Sequence, residues 1–154
     1  MARSTTETLI TQSVLDRLMT VEDWPATRAQ SLRYFKDSLK RDLEWLLNTR
    51  KPPIPELTRY DAARTSVINY GLPDITSLGL SSASDHRRLR IAIEESIRHF
   101  EPRLTDVRVS LDGTETVNRR LRFHIEGSMK LDPAPEEISF DTVLELSSGE
   151  YKVK

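Results

Sequence analysis

Apolar residues recur at three- and four-residue spacings through the first hundred positions and at every second position beyond them. The change of period falls at Pro102. From Arg28 to Asn48, Leu32, Phe35, Leu39, Leu43, Leu46 and Leu47 share one helical face, while Lys36, Asp37, Lys40, Arg41, Asp42 and Glu44 fill the other. This predicts a helix over 28–48, ended by the proline-rich connector Lys51-Pro52-Pro53-Ile54-Pro55. A shorter helix is predicted from Ser13 to Met19, with Ser13 as N-cap, Val14, Leu15 and Leu18 on one face, and Trp24-Pro25 as its break. Asp61–Tyr70 reads as a further short helix closed by Gly71, with Pro73 two residues on. Leu72–Ser82 reads as a loop laid on the core through Leu72, Ile75, Leu78 and Leu80. Ser84 is expected to cap the next helix, with Asp85 at its positive end and Leu89, Ala92, Ile93, Ile97 and Phe100 as its buried stripe.

After Pro102 the alternation is that of strands. Val107, Val109 and Leu111 alternate with Arg108 and Ser110, and Asp112-Gly113 reads as a turn. Leu121, Phe123, Ile125, Gly127, Met129 and Leu131 face one way, and Arg120, Arg122, His124, Glu126, Ser128 and Lys130 the other. Ile138, Phe140, Thr142, Leu144 and Leu146 form a third such face. A turn at Ser148-Gly149 leads to a last short strand, Glu150–Lys154. Helices first and strands afterwards predict an α+β domain, N-terminal helices packed on one face of an antiparallel sheet of three to four strands. All 154 residues are expected to form a single domain, with residues 1–10 loose.

Composition narrows the chemistry. The chain has no cysteine, which removes disulfides, thiol nucleophiles and thiolate metal sites. A net charge of -1 argues against general affinity for nucleic acid or anionic lipid. No apolar run approaches the ~20 residues needed to cross a bilayer, and the first residues lack the pattern of a signal peptide. A cytoplasmic location is the expectation.

The candidate site is the tripeptide Glu101-Pro102-Arg103, at the junction of helix and strand. Proline ends the helix and biases the residue before it toward an extended conformation, which sets Glu101 and Arg103 on one side of a rigid corner. A glycosidase would need a carboxylic acid there and a second carboxylate ~5–10 Å away. An arginine two positions off favours a carboxylate instead, and Glu94 and Glu95 read as the solvated face of a helix. The clusters Arg87-Arg88-Arg90 and Arg119-Arg120-Arg122 have no interleaved aromatics and read as solvated or protein-binding surface. His86, His99 and His124 have no metal-site spacing, Gly79 and Gly113 no phosphate-cradling pattern, and Trp24 and Trp45 read as core or helix-packing aromatics. No cofactor is implied.

Several segments carry a resemblance. Ser66-Val67-Ile68-Asn69-Tyr70-Gly71-Leu72-Pro73-Asp74 resembles the "LNYGLPD" segment of TssE, a baseplate subunit of type VI secretion systems. Arg41–Arg50, Phe100–Arg103 and Phe140–Leu146 are similar to further segments of that family, in the same order. The wider family includes the sheath-initiator wedge protein of contractile phage tails, some of its members carry a lysozyme-like label, and Glu-Pro-Arg is its shared signature. The resemblance implies a structural protein that is not an enzyme. It would join TssF, TssG and TssK in the baseplate wedge at the inner face of the cytoplasmic membrane, without inserting into it. It would also start the TssB–TssC sheath by offering a sheet edge. On that reading Glu101, Pro102 and Arg103 dock a wedge partner. Glu150, Tyr151, Lys152 and Val153 form the sheath edge, because a last strand leaves backbone groups unpaired. The alternatives are a peptidoglycan hydrolase and a phage-tail or tailocin sheath initiator; the Asn-Tyr-Gly-Leu-Pro-Asp run favours the secretion branch.

Overall fold

The computed structural model describes residues 9–19, 24–74, 82–115 and 120–154, with the backbone alone at 57–58 and 112–115. Ile75, Leu78, Gly79, Leu80 and Arg119 therefore lie outside the described residues. The chain runs α1 (Val14–Met19), α2 (Arg28–Asn48), α3 (Asp61–Arg64), α4 (Ala83–Phe100), β1 (Leu104–Glu115), β2 (Arg120–Met129), β3 (Glu136–Glu145) and β4 (Glu150–Val153), with short 3-10 turns at Pro55–Arg59 and Val67–Asn69. The four strands form one antiparallel sheet in the order β1-β2-β3-β4. This is the expected α+β architecture.

Helix α2 has the predicted boundaries, with the Thr27 hydroxyl accepting from the Gln30 N–H at its start. Phe35, Leu39, Leu43, Leu46 and Leu47 are buried, as are Leu89, Ile93 and Ile97 of α4. They meet Leu121, Phe123, Ile125, Met129, Phe140, Leu144 and Tyr151 on the inner face of the sheet. The alternation in β2 holds through Leu121, Phe123, Ile125 and Met129. Helix α2 packs over β4 and α4 over β1, so each helix covers one margin of the sheet. Among the described residues no helix is long and apolar enough to cross a membrane.

Five local expectations change. Asp61–Tyr70 is not one helix: α3 ends at Arg64, and the Ser66 N–H and hydroxyl both return to the Ala63 carbonyl. The cap of α4 is Ser82, whose hydroxyl accepts from the Asp85 N–H, and not Ser84. Asp112-Gly113 is not a turn but a slip in register within β1, which continues to Glu115 opposite Arg120. A second slip lies between Thr105 and Arg108, where Asp106 takes a left-handed φ of 53°. Trp24 and Trp45 are not core residues; Trp45 is 49% exposed and lies beneath the Arg41 guanidinium, 4.9 Å from ring centre to carbon.

Helix α1 shows the fifth and largest departure. Its apolar residues turn to solvent, Val14 at 71% and Leu18 at 72% exposed, while Asp16 is buried at 9%. The helix is seated by a polar side chain.

Gly71 explains why the Asn69–Asp74 segment needs its glycine. Its φ is +103°, and a Cβ there would lie 2.4 Å from the Thr49 carbonyl oxygen. The close approach lets Leu72 N–H donate to Thr49 O (2.9 Å) and Lys51 N–H donate to Leu72 O (2.9 Å), stitching this segment to the end of α2. The Ser96 hydroxyl of α4 donates to the Gly71 carbonyl at 3.1 Å.

Candidate functional site

The corner forms where α4 can no longer continue. The Glu101 N–H still donates to Ile97 O (2.8 Å), but Pro102 supplies no donor, and Leu104 N–H turns back to Glu101 O at 3.2 Å. Residues 101–104 thus make a turn. The expected extended geometry is confined to Glu101 (φ -122°, ψ 79°), because the Leu104 hydrogen bond curls the next two residues. Glu101 and Arg103 still meet. Arg103 donates from Nε to Glu101 Oε1 (2.7 Å) and from Nη2 to Glu101 Oε2, and its backbone N–H also reaches Oε1 at 3.2 Å.

Arg103 does not stop at Glu101. Nη2 donates to Asp42 Oδ2 (2.6 Å) and Nη1 to Ser38 Oγ (3.1 Å), both on α2, and the guanidinium sits over the Phe35 ring at 5.6 Å. Four of the five N–H groups of a guanidinium are therefore directed at acceptors of its own chain. The other Asp42 oxygen accepts from Arg41 at 2.7 Å, and Arg41 Nη1 donates to Asp16 Oδ1 at 2.7 Å. The hydroxyls of Ser13 and Ser38 donate to Asp16 Oδ2. One continuous network ties α1, α2 and the corner.

The electrostatics follow. Burial disfavours charge on Arg103, but hydrogen bonding and attraction to Glu101, and then Asp42, outweigh it and raise its pKa. Burial likewise opposes the charge on Asp16, yet Ser13, Ser38 and Arg41 together hold its carboxyl below the ordinary value. Burial, then the carboxylates of Asp42 and Glu101, push the Tyr70 hydroxyl up. Three carboxylates outnumber two guanidiniums, so the cluster keeps a negative balance.

Over the network lies a groove of about 280 Å³, walled by Ser13, Leu46, Tyr70, Phe100 and Pro102. Tyr70 and Phe100 meet edge to face at 5.3 Å. Pro102 is exposed at its rim, whereas Glu101 is only 5% exposed with both oxygens occupied by Arg103. A larger groove of about 510 Å³ lies between the proline connector and α4, and the ionic network does not reach it. Among the described residues no three His, Asp or Glu side chains gather as a metal site.

The sheet edges form a second candidate region. Lys154 N–H donates to Asp141 O (2.8 Å), and strand alternation then turns the backbone groups of Tyr151 and Val153 away from β3. The Tyr151 pair is taken. Its N–H donates to Asn48 Oδ1 (2.8 Å), and Asn48 Nδ2 donates to its carbonyl (2.9 Å). Arg50 adds a bond to Gly149 O at 2.6 Å. The sequence implied an open edge at Glu150–Val153; in the structure it is not wholly open, because Asn48 occupies the Tyr151 groups. Tyr151 is also among the largest fully buried side chains, so burial raises its pKa despite the nearby Arg50. Removing residues 149–154 would take it out of the core.

The opposite edge is treated in the same way. Val109 N–H donates to Glu94 Oε1 (2.9 Å), and Arg98 Nη2 donates to Val107 O (3.5 Å). Glu94 is thus no solvated surface acid; its side chain is 15% exposed and held by Arg90 at 3.0 Å. The helical spacing of Arg90, Glu94 and Arg98 was the available signal for this cap, and periodicity could not say what it faced.

A family model for the baseplate wedge protein gp25 matches residues 33–134, more than half of the chain. The chain belongs to that family. TssE is the type VI secretion homologue of gp25, so the resemblance read from the sequence stands. Membership makes the chain a structural protein of the baseplate wedge type, one that interacts with other baseplate proteins. The gp25 match spans most of α2, the whole corner, β1 and β2, and stops before β3. No curated protein sequence matches the chain.

Proposed function

We propose that this chain is the TssE-type subunit of a type VI secretion baseplate, joining the wedge through the Glu101-Pro102-Arg103 corner and starting the contractile sheath at the β4 edge. It works by binding and not by catalysis. The observation that carries the reading is the built corner of a gp25-family protein, in which a half-buried ionic frame holds an exposed Pro102 rim beside Tyr70 and Phe100. Arg103 and Glu101 set the frame, and a partner helix from TssF or TssG lies against the rim. The negative balance of the frame suits a helix N-terminus or a basic side chain. In this reading the protein is cytoplasmic, reaches the inner membrane face through TssK and the rest of the baseplate, and passes TssB–TssC strands along Glu150, Tyr151, Lys152 and Val153.

Co-purification with TssF and TssG tests the wedge half. Pro102→Ala should weaken capture while leaving the thermal midpoint unchanged, and Arg103→Ala should lose capture together with stability. Full capture of TssF and TssG by a folded Arg103→Ala protein would overturn the assignment. For the sheath half, Val153→Pro removes an outward N–H without touching the bonds to β3. Sheath assembly in cells should then stop although the wedge still forms, and normal sheaths would sink the idea.

A further inference from the structure

The Asn48 carboxamide carries an NH2 donor group and a carbonyl acceptor on one plane, the two kinds of group that a residue of a neighbouring strand offers. It uses both on Tyr151, at 2.8 and 2.9 Å, in the plane where a fifth strand would lie. The two edge caps differ in how firmly they are held. On β1 a carboxylate is largely buried, held by Arg90, and followed one helical turn later by Arg98. On β4 the cap is an exposed amide on the last residue of α2, with one further bond, from Nδ2 to Glu44 O at 2.9 Å. A side-chain rotation releases it.

We propose that Asn48 is a placeholder for a partner's strand. It keeps the β4 edge closed in the free protein and gives way to an incoming extended segment, which takes over the N–H and C=O of Tyr151 and runs on to Val153. The inference rests on the reading that the sheath pairs with β4. It adds how the edge is kept from pairing prematurely and what the incoming segment looks like. On the outer face that segment passes Lys152, which Glu145 approaches only at 3.7 Å, and Lys154, which has no ion pair among the described residues. Acidic residues at alternate positions of the segment satisfy both.

Two measurements test this on the full chain. In the isolated protein, Asn48→Ala should speed hydrogen exchange at the Tyr151 amide about tenfold relative to neighbouring strand amides. With purified TssB–TssC, the same variant should raise the initial rate of sheath assembly about threefold, because the competent edge is more populated. Asn48→Asp keeps the acceptor and loses the donor, so it should fall between wild type and alanine, and it serves if alanine does not fold. An assembly rate unchanged or lowered by both variants, while Val153→Pro still blocks assembly, overturns the placeholder and leaves β4 pairing intact. If Val153→Pro assembles sheaths normally, β4 pairing fails and the placeholder with it.

Discussion

Arg103 Nη2 and Asp42 Oδ2 lie 2.6 Å apart across sixty-one residues of sequence. The contact fastens the corner after α4 to the middle of α2, and Asp42 passes the connection through Arg41 to Asp16 on α1. The corner is therefore a frame before it is a surface.

Removing the guanidinium leaves the buried Glu101 and the half-buried Asp42 as neighbouring acids without their shared partner. Arg103→Ala should cost about 3 kcal/mol of unfolding free energy in urea titrations. Arg103→Ala combined with Glu101→Gln should recover part of that loss. Equal stability of wild type and Arg103→Ala would show that the network contributes only surface-level ion pairs.

Gly71→Ala combines a forbidden φ with a clash on the Thr49 carbonyl. A loss of ~2–4 kcal/mol is expected. Thermal unfolding measures it, and a midpoint within a degree of wild type would mean that the Thr49–Leu72 stitching is dispensable.

Asp16 gives the protein a signature in acid. Its folded pKa lies below the ordinary 3.8, so its stabilising contribution is complete above that value and is lost as pH falls through the lower, folded one. Asp16→Asn has nothing to titrate. Its stability should fall less steeply than wild type below about pH 4, read from chemical denaturation at a series of pH values; parallel curves would contradict the assignment.

Glu94→Ala uncaps Val109 on β1. The unpaired edge N–H should cost ~1–2 kcal/mol and promote edge-to-edge association. Sedimentation velocity across a concentration series should reveal dimers absent from wild type, whereas a strictly monomeric variant would show that α4 alone shields that edge.

Much of this was legible in the chain. Helix α2, the strand alternation of β2 and the α+β order follow from periodicity, because the residues that repeat are those buried on one face. The Glu101–Arg103 pair was legible too, through the proline between them. What periodicity could not reveal was what the polar residues face. Asp42, Ser38 and Asp16 sit on polar stripes and look solvated, yet they converge on Arg103 and Arg41 through folding over long separations. Asn48 and Glu94 were hidden for the same reason: a polar residue at a helix margin looks alike whether it meets water or a strand edge. Helix α1 misleads in the other direction, since its apolar stripe points outward.

That helix is held by a different kind of force from the rest of the molecule. Its seat is a buried carboxylate against a half-buried guanidinium and two hydroxyls. The sheet and α2 are held by buried hydrocarbon, whose attraction has no direction, whereas a charged hydrogen bond holds only where donor and acceptor stay aligned. The position of α1 is thus set by the reach of Arg41 and not by an apolar stripe. Val14, Leu15 and Leu18 take no part in that seat, so the first helix keeps its place while its apolar side stays exposed.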